Sequence, residues 1–159
     1  MVTQVVTSEA HVSTDQIWAW LADVPDPEIP VISIVDLGII RSVVWREHLL
    51  VVTVTPTYSG CPAASVINFE IEQTLRTHGI VDLKLERQLS PAWTTDWISS
   101  AGHDKLRDYG IAPPTKGLVQ CPRCGSTQIE TISQFGSTPC KALHRCTSCL
   151  EPFDRFKCI

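Results

Sequence analysis

The sequence predicts an α/β (α+β) protein: a small mixed-sheet domain of element order α-β-β-α-β-α, followed by a small zinc-ribbon module. Three observations carry this. Apolar positions at helical spacing alternate with β-branched runs in the first part of the chain. Two C-x-x-C pairs lie beyond residue 120. A proline-containing stretch, Ile111-Ala112-Pro113-Pro114-Thr115-Lys116-Gly117, stands between them. The expected division is residues 1–112 for the α/β domain, 113–117 for a stiff linker and 118–159 for the ribbon.

The elements follow in order. Ser13-Thr14-Asp15-Gln16 is a capping-box start, with Ser13 as cap and Gln16 able to reach back. The helix it opens runs through Ile17, Trp18, Trp20 and Leu21 and stops before the prolines that begin at Pro25. Asp26-Pro27-Glu28-Ile29-Pro30 is then a proline-locked loop. Ile39 to Trp45 and Leu49 to Thr55 read as a hairpin around Arg46-Glu47-His48. In the second strand Leu50, Val52 and Val54 share one face and Val51, Thr53 and Thr55 the other. A helix begins near Cys61-Pro62, with proline at its favoured first position. Its buried stripe is Ala64, Ile67, Ile71 and Leu75, and His78-Gly79 ends it. Val81, Leu83, Leu85 and Leu89 alternate with polar residues as a half-buried strand. A short helical region spans about Thr95 to Arg107.

Composition narrows the function classes. The chain has 159 residues, 43% hydrophobic, enough for a packed core. Its net charge is −4, and the 13 basic residues form no block or stripe, so no nucleic-acid partner is expected. No stretch approaches the ~18 apolar residues of a membrane span, and Met1 to Val6 lack the basic and apolar regions of a secretory leader. A cytoplasmic protein without a membrane partner is the expectation. There is no G-x-S-x-G, P-loop or H-E-x-x-H, which removes support for a stand-alone hydrolase or kinase.

The cysteines carry the sharpest signal. Of seven, six lie after residue 120. Cys121-Pro122-Arg123-Cys124 and Cys146-Thr147-Ser148-Cys149 are two knuckles, each able to present both sulfurs to one ion on a tight turn, eased by Gly125 after the first. Gln128 to Phe135, Leu143 to Arg145 and Pro152 to Lys157 supply ribbon strands. The module holds too few large apolar residues for a core of its own, so metal binding has to provide much of its folding energy. Structural zinc on Cys121, Cys124, Cys146 and Cys149 is the expectation, with an iron–sulfur cluster as the alternative for a four-thiolate set. Cys140, Cys158 and His144 are left over. The two cysteines are open to a pairing behind the metal ligands, a redox pair, ligation of a second ion, or plain burial.

In the first domain Cys61 stands alone at a predicted helix start, where the partial positive charge of the helix favours thiolate. Thr57-Tyr58-Ser59-Gly60 before it supplies hydroxyls, and Asp26 and Glu28 lie in a loop able to approach it. A packed or capping residue is the equally open reading. His11, His48, His78 and His103 form no ligand spacing, and Trp93 and Trp97 read as core.

Asp26-Pro27-Glu28-Ile29-Pro30, Asp36-Leu37-Gly38-Ile39 and Thr55-Pro56-Thr57-Tyr58-Ser59-Gly60-Cys61-Pro62 resemble the signature of the iron–sulfur assembly family that includes the SufT proteins. With Pro91 to Ile98, Tyr109 to Pro114, Phe135 to Lys141 and Glu151 to Cys158, nearly the whole chain resembles the D-subunit family of ring 1,2-phenylacetyl-CoA epoxidase systems. The resemblance implies a part in aerobic phenylacetate catabolism. There a di-iron oxygenase component epoxidises the aromatic ring, and a reductase carries an iron–sulfur cluster and flavin. A member of this family is expected to be no enzyme on its own. In keeping with this, the chain has no Glu-x-x-His helix pair and no dinucleotide fingerprint. The implied role is to mature or maintain the iron–sulfur or iron centre of an oxygenase or reductase component. Cys61 stands at the family's reactive-cysteine position, with Asp26, Glu28 and Thr57 as companions and a transient iron or iron–sulfur species as further ligand. A purely structural subunit and a redox carrier with a cluster in the cysteine module are the competing readings.

Overall fold

The computed structural model describes residues 11–159; the leader reading of residues 1–6 lies outside them. Helix α1, Thr14–Ala22, starts where Ser13 Oγ accepts the Gln16 N–H at 3.2 Å, and it buries Ile17 and Leu21. β1, Ile40–Arg46, and β2, Leu49–Val54, form an antiparallel hairpin whose turn is closed by Glu47 at φ 54°. α2, Ala64–Thr77, crosses over to β3, Leu83–Arg87, which pairs parallel with β2. The sheet is therefore mixed, in the order β1-β2-β3. A 3₁₀ turn at Thr95–Trp97 and helix α3, Ser100–Asp108, complete this part. The order α-β-β-α-β-α is the one expected.

Three details differ from the sequence reading: two boundaries and the burial of one strand. The regular bonds of α2 begin at Ala64 rather than at Cys61-Pro62. Tyr58 to Ala63 make two successive turns instead, with Cys61 N–H on the Tyr58 carbonyl and Ala64 N–H on the Cys61 carbonyl, both at 3.2 Å. Cys61 thus lies ahead of the helix, and Ala63 takes the buried place given to Ala64. β3 ends short of the predicted alternation, and Val81 and Leu89 are exposed. β2 faces no clean polar side, since Val51 and Thr55 are buried as well as Leu50, Val52 and Val54. As the central strand of three it has both edges paired, and it carries buried residues on both faces.

One apolar cluster holds Ile17 and Leu21 of α1, Ile32, Ile34, Leu37 and Ile39 of the connecting loop, Leu50 and Val52 of β2, and Ile67, Ile71 and Leu75 of α2. Each such side chain contributes roughly 1.5–3 kcal/mol on burial. The loop between α1 and β1 is fixed by polar side chains as well. Asp26 Oδ1 accepts the Glu28 and Ile29 N–H groups at 2.9 and 2.8 Å. Asp36 accepts from Ser99, Lys105 and Ser33 at 2.7, 2.6 and 3.1 Å, tying the loop to α3.

The C-terminal part is a second antiparallel sheet, β4 (Ile129–Ser133), β5 (Lys141–Cys146) and β6 (Pro152–Phe156), in sequential order. Its own apolar cluster is small, Ala112, Cys121, Cys146 and Phe153. Two of its residues, Cys140 and Phe156, belong instead to the main cluster of the first domain. The stretch read as a linker is itself bonded to β6, through Ala112 N–H to the Asp154 carbonyl at 2.8 Å and Arg155 to the Thr115 carbonyl at 3.2 Å. Thr95 N–H reaches the Ile159 carbonyl at 3.2 Å. No helix of the described residues is long and apolar enough to cross a membrane.

Candidate functional site

Two groups of side chains stand out, and the first lies where the two sheets' units meet. Asp26, Glu28, Thr57 and Cys61 line one small cavity of about 20 Å³, together with Cys140 and Phe156 from the C-terminal unit. The volume is room for one water-sized atom. The loop between α1 and β1 contributes the carboxylates, and the turns ahead of α2 contribute Thr57 and Cys61. Cys61 is half-buried and Cys140 is buried, with the Thr138 hydroxyl 3.0 Å from the Cys140 sulfur.

The electrostatics of the cavity are one-sided. Burial pushes the Asp26 carboxyl up against the lowering effect of its two backbone N–H bonds. Burial, and then the Asp26 charge, push Glu28 up. Burial raises the Cys140 thiol although Thr138 hydrogen-bonds it, and the Glu28 charge adds to the rise. The Tyr58 phenol is pushed up to about 12, first by burial and next by the Cys61 sulfur, with Glu28 and Cys140 adding. Its hydroxyl oxygen is buried without a hydrogen-bond partner. The Lys141 ammonium, itself almost wholly buried, opposes these effects on Asp26, Glu28 and Cys140. Sequence reasoning singles out neither Tyr58 nor Lys141. Tyr58 carries a signal, its place in the hydroxyl-rich run before Cys61. Lys141 carries none, because only the fold brings the start of β5 to the loop of Asp26.

The second group is the four knuckle cysteines. The sulfurs of Cys121, Cys124, Cys146 and Cys149 all lie within 4.8 Å of one another. Cys121 is 3.7 Å from Cys149, and Cys124 is 3.6 Å from Cys146. These spacings are too long for a disulfide, whose sulfurs sit about 2.05 Å apart. They match a tetrahedron, because metal–sulfur bonds of about 2.3 Å place the sulfurs roughly 3.8 Å apart. The two knuckles share one backbone plan. Cys121 N–H bonds the Ser126 carbonyl and Cys146 N–H the Glu151 carbonyl, each at 2.9 Å. The residue after each second cysteine has positive φ, 74° at Gly125 and 66° at Leu150. Cys146 is pulled down to about 6, chiefly by the Cys149 backbone N–H at 3.5 Å from its sulfur, so a thiolate is favoured there. Arg123 and Glu151 pair across the knuckles at 2.6 Å.

The leftover residues separate. His144 is buried against Phe153 and bonded to the Thr131 hydroxyl at 3.3 Å, apart from the four sulfurs. Cys158 is exposed, its thiol 3.1 Å from the Thr115 carbonyl, so it and Cys140 face different partners. Trp93 is core, with its indole N–H on the Leu37 carbonyl at 2.8 Å.

Comparison with known proteins matches both units. The profile of the PaaD zinc beta ribbon domain covers residues 112–157, and that of iron-sulfur cluster assembly proteins covers residues 14–82. A crystal structure of a DUF59 domain from Bacillus anthracis superposes with a TM-score of 0.54 and 28% identity, covering 58% of this chain and 89% of that one. An Fe-S protein maturation auxiliary factor of Porphyromonas gingivalis is 36% identical over 81 residues, 50% of this chain and 76% of its own length. A protein of Escherichia coli (strain K12), named as the D subunit of a 1,2-phenylacetyl-CoA epoxidase, is 49% identical over 152 residues, 91% of this chain and 92% of that protein. An assembly-type domain and a PaaD-type ribbon in one chain, matched over nearly its full length, place this protein in the family of 1,2-phenylacetyl-CoA epoxidase D subunits.

Proposed function

We propose that this chain is a non-catalytic maturation factor of a phenylacetyl-CoA epoxidase system in the cytoplasm. It loads or maintains the iron–sulfur or iron centre of an oxygenase or reductase component. The observation that carries this is the convergence of Cys61, Thr57, Asp26 and Glu28 on one cavity in a domain of the iron-sulfur cluster assembly family. Cys61 is the reactive group of this reading. Thr57 and the two carboxylates shape its surroundings.

The four knuckle cysteines are proposed to hold a structural zinc, which when bound cross-links the two knuckles. A single-ion tetrahedron suits sulfurs within 4.8 Å of one another. A cluster spreads its ligands over several irons and needs them wider apart, so the spacing argues against the cluster-carrier reading. Cys121, Cys124, Cys146 and Cys149 are the ligands, and the division of the chain at 113–117 belongs to the same proposal.

The test is Cys61→Ala. The oxygenase and reductase components are purified from cells expressing the variant, and their iron content and activity are measured. Under-loaded, less active components are expected; fully loaded, active components would remove the maturation role. The name carried by the Escherichia coli relative favours a second reading, a structural subunit of the complex. It predicts stoichiometric co-purification with the oxygenase and normal iron loading when Cys61 is replaced.

A further inference from the structure

The Cys61 cavity is closed by the C-terminal unit, not by the assembly domain alone. Cys140 and Phe156 supply one wall, and both belong to the main apolar cluster rather than to the ribbon's own. Strand pairing makes these two residues one wedge. Phe156 stands opposite Lys141 in the β5–β6 register, and the Lys157 N–H bonds the Cys140 carbonyl at 2.9 Å. The turn before β5 is closed onto the same end. Gly136 N–H bonds the Lys141 carbonyl at 2.7 Å, and Ser137 Oγ donates to the Asp154 carboxylate at 3.0 Å. A Cβ at Gly136 would lie 2.5 Å from Asp154 Oδ1, so this end of the ribbon is tightly packed. The knuckles lie at the other end of the same strands. β5 runs from Lys141 at the wedge to the knuckle residue Cys146, and a strand of six residues spans roughly 17–20 Å. Cys121 and Cys146 are two of the four buried residues of the ribbon's own cluster. The groups that hold the ribbon together are therefore those that would bind its metal.

We propose that the ribbon is a cap on the Cys61 pocket of its own chain, set in place when the knuckles hold zinc and withdrawn when they do not. The proposal rests on the maturation reading and supplies its regulation. Docked, the wedge leaves about 20 Å³ beside Cys61, space for one water-sized atom. Cargo of more than one atom enters that space only after Cys140 and Phe156 have left it. Cys61 itself is half-buried with the cap in place, so the cap narrows access to the sulfur without sealing it. The cap is held by burial of Phe156, 1% exposed, and of Cys140, 6% exposed. It is also held by backbone bonds from Ala112 and Thr95 to the Asp154 and Ile159 carbonyls. All of these contacts need β5 and β6 in register, and the register needs the knuckles closed. Zinc at one end of the ribbon thereby decides the size of the pocket at the other.

The experiment labels anaerobic full-length protein with a bulky maleimide and follows the Cys61 peptide by mass spectrometry over time. Zinc-loaded protein, chelator-stripped protein and zinc-loaded Phe156→Ala are compared, with zinc counted per chain. Cys61 should label about tenfold faster or more in the stripped protein and in Phe156→Ala, because labelling follows the population of the open form. Leu75→Ala empties a fully buried site of the same core, about three turns further along α2 and away from the ribbon. Its cost to the core is similar, and it should leave the Cys61 rate within about threefold of the unaltered protein. Circular dichroism establishes that each variant is folded; if Phe156→Ala is not, Phe156→Leu carries the same expectation with a smaller rise. A folded Phe156 variant that labels at the unaltered rate overturns the cap. Stripped protein whose knuckle thiols react while Cys61 keeps its rate overturns it as well. So does equal speeding by Leu75→Ala, which traces the effect to general loosening of the core. None of these results touches the Cys61→Ala maturation assay, whose own failure leaves the labelling rates standing.

Discussion

At the scale of single residues, burial sorts the thiols. Cys158 is exposed and Cys61 half-buried, while Cys140 is 6% exposed. In zinc-loaded protein an alkylating agent should modify Cys158 and Cys61 first and Cys140 far more slowly, as read by mass spectrometry over time. Equal rates at Cys61 and Cys140 would contradict the buried placement. Asp36 is the polar hub of the first domain. Burial alone would raise its carboxyl, but hydrogen bonds from Lys105, Ser99 and Ser33 outweigh it and hold it below its ordinary 3.8. A carboxyl lowered in the folded state contributes stability that is fully present above the unfolded value. That contribution is lost as pH falls through the folded value. Asp36→Asn should therefore cost about 1–2 kcal/mol at neutral pH, with the half-exposed Lys105 discounted for solvent screening. The gap to the parent protein should close on acidification below the ordinary carboxylate range, measured by denaturant unfolding across pH. A gap that widens in acid would reverse the sign of this argument.

At the scale of elements, one glycine decides whether the loop before β1 can pass the 3₁₀ turn at Thr95–Trp97. Gly38 has φ +70°, and a Cβ built on it would lie 2.6 Å from the Trp97 carbonyl oxygen and 2.7 Å from the Trp97 Cβ. Backbone at that distance cannot yield cheaply. Gly38→Ala should cost roughly 3 kcal/mol or more, combining the left-handed conformation with the clash. A shift in melting temperature under a few degrees would show that the loop can move away. The same substitution at Gly79 or Gly110, whose Cβ positions meet nothing within 4 Å, should cost only the conformational part, about 1 kcal/mol. In the knuckles Leu150 holds the positive φ that Gly125 holds in the first. Leu150→Gly should relieve that strain, by up to about 1 kcal/mol, with little loss of packing because Leu150 is exposed.

At the scale of the whole molecule, the C-terminal unit carries two loads. Its knuckles organise β4 to β6, and its inner face covers the first domain through Phe156 and Cys140. Sequence reasoning expects two independent cores divided at the proline stretch, with Cys124→Ser unfolding the ribbon alone; the place of Cys140 and Phe156 in the main cluster argues against that independence. Phe156 is 1% exposed and lies against Trp93, with ring centres 6.1 Å apart. Chelation of the metal should therefore melt the ribbon and also lower the melting temperature of the assembly domain. Phe156→Ala should destabilise that domain by about 3–5 kcal/mol, the usual cost of emptying a buried aromatic site. Calorimetry with and without chelator reads both effects. An assembly-domain transition unmoved by chelation would show that its core closes without the ribbon.

Local signals determined much of this protein. The Ser13 cap, the Ile67-Ile71-Leu75 stripe, the mixed sheet's three strands and the four knuckle cysteines were all legible. Each element, and each C-x-x-C pair, rests on residues within a turn or a strand of one another, where spacing dictates local geometry. Tertiary structure decided the rest. Only the fold sets Asp26, Glu28, Thr57 and Cys61 around one cavity, because two separate segments must pack before those side chains meet. Only the fold distinguishes Cys140, buried against that cavity, from Cys158, exposed near the C-terminal end of the chain. No spacing rule relates residue 61 to residue 140: both line one cavity once the ribbon packs Cys140 and Phe156 into the main apolar cluster, a long-range burial whose driving force has no period in the sequence.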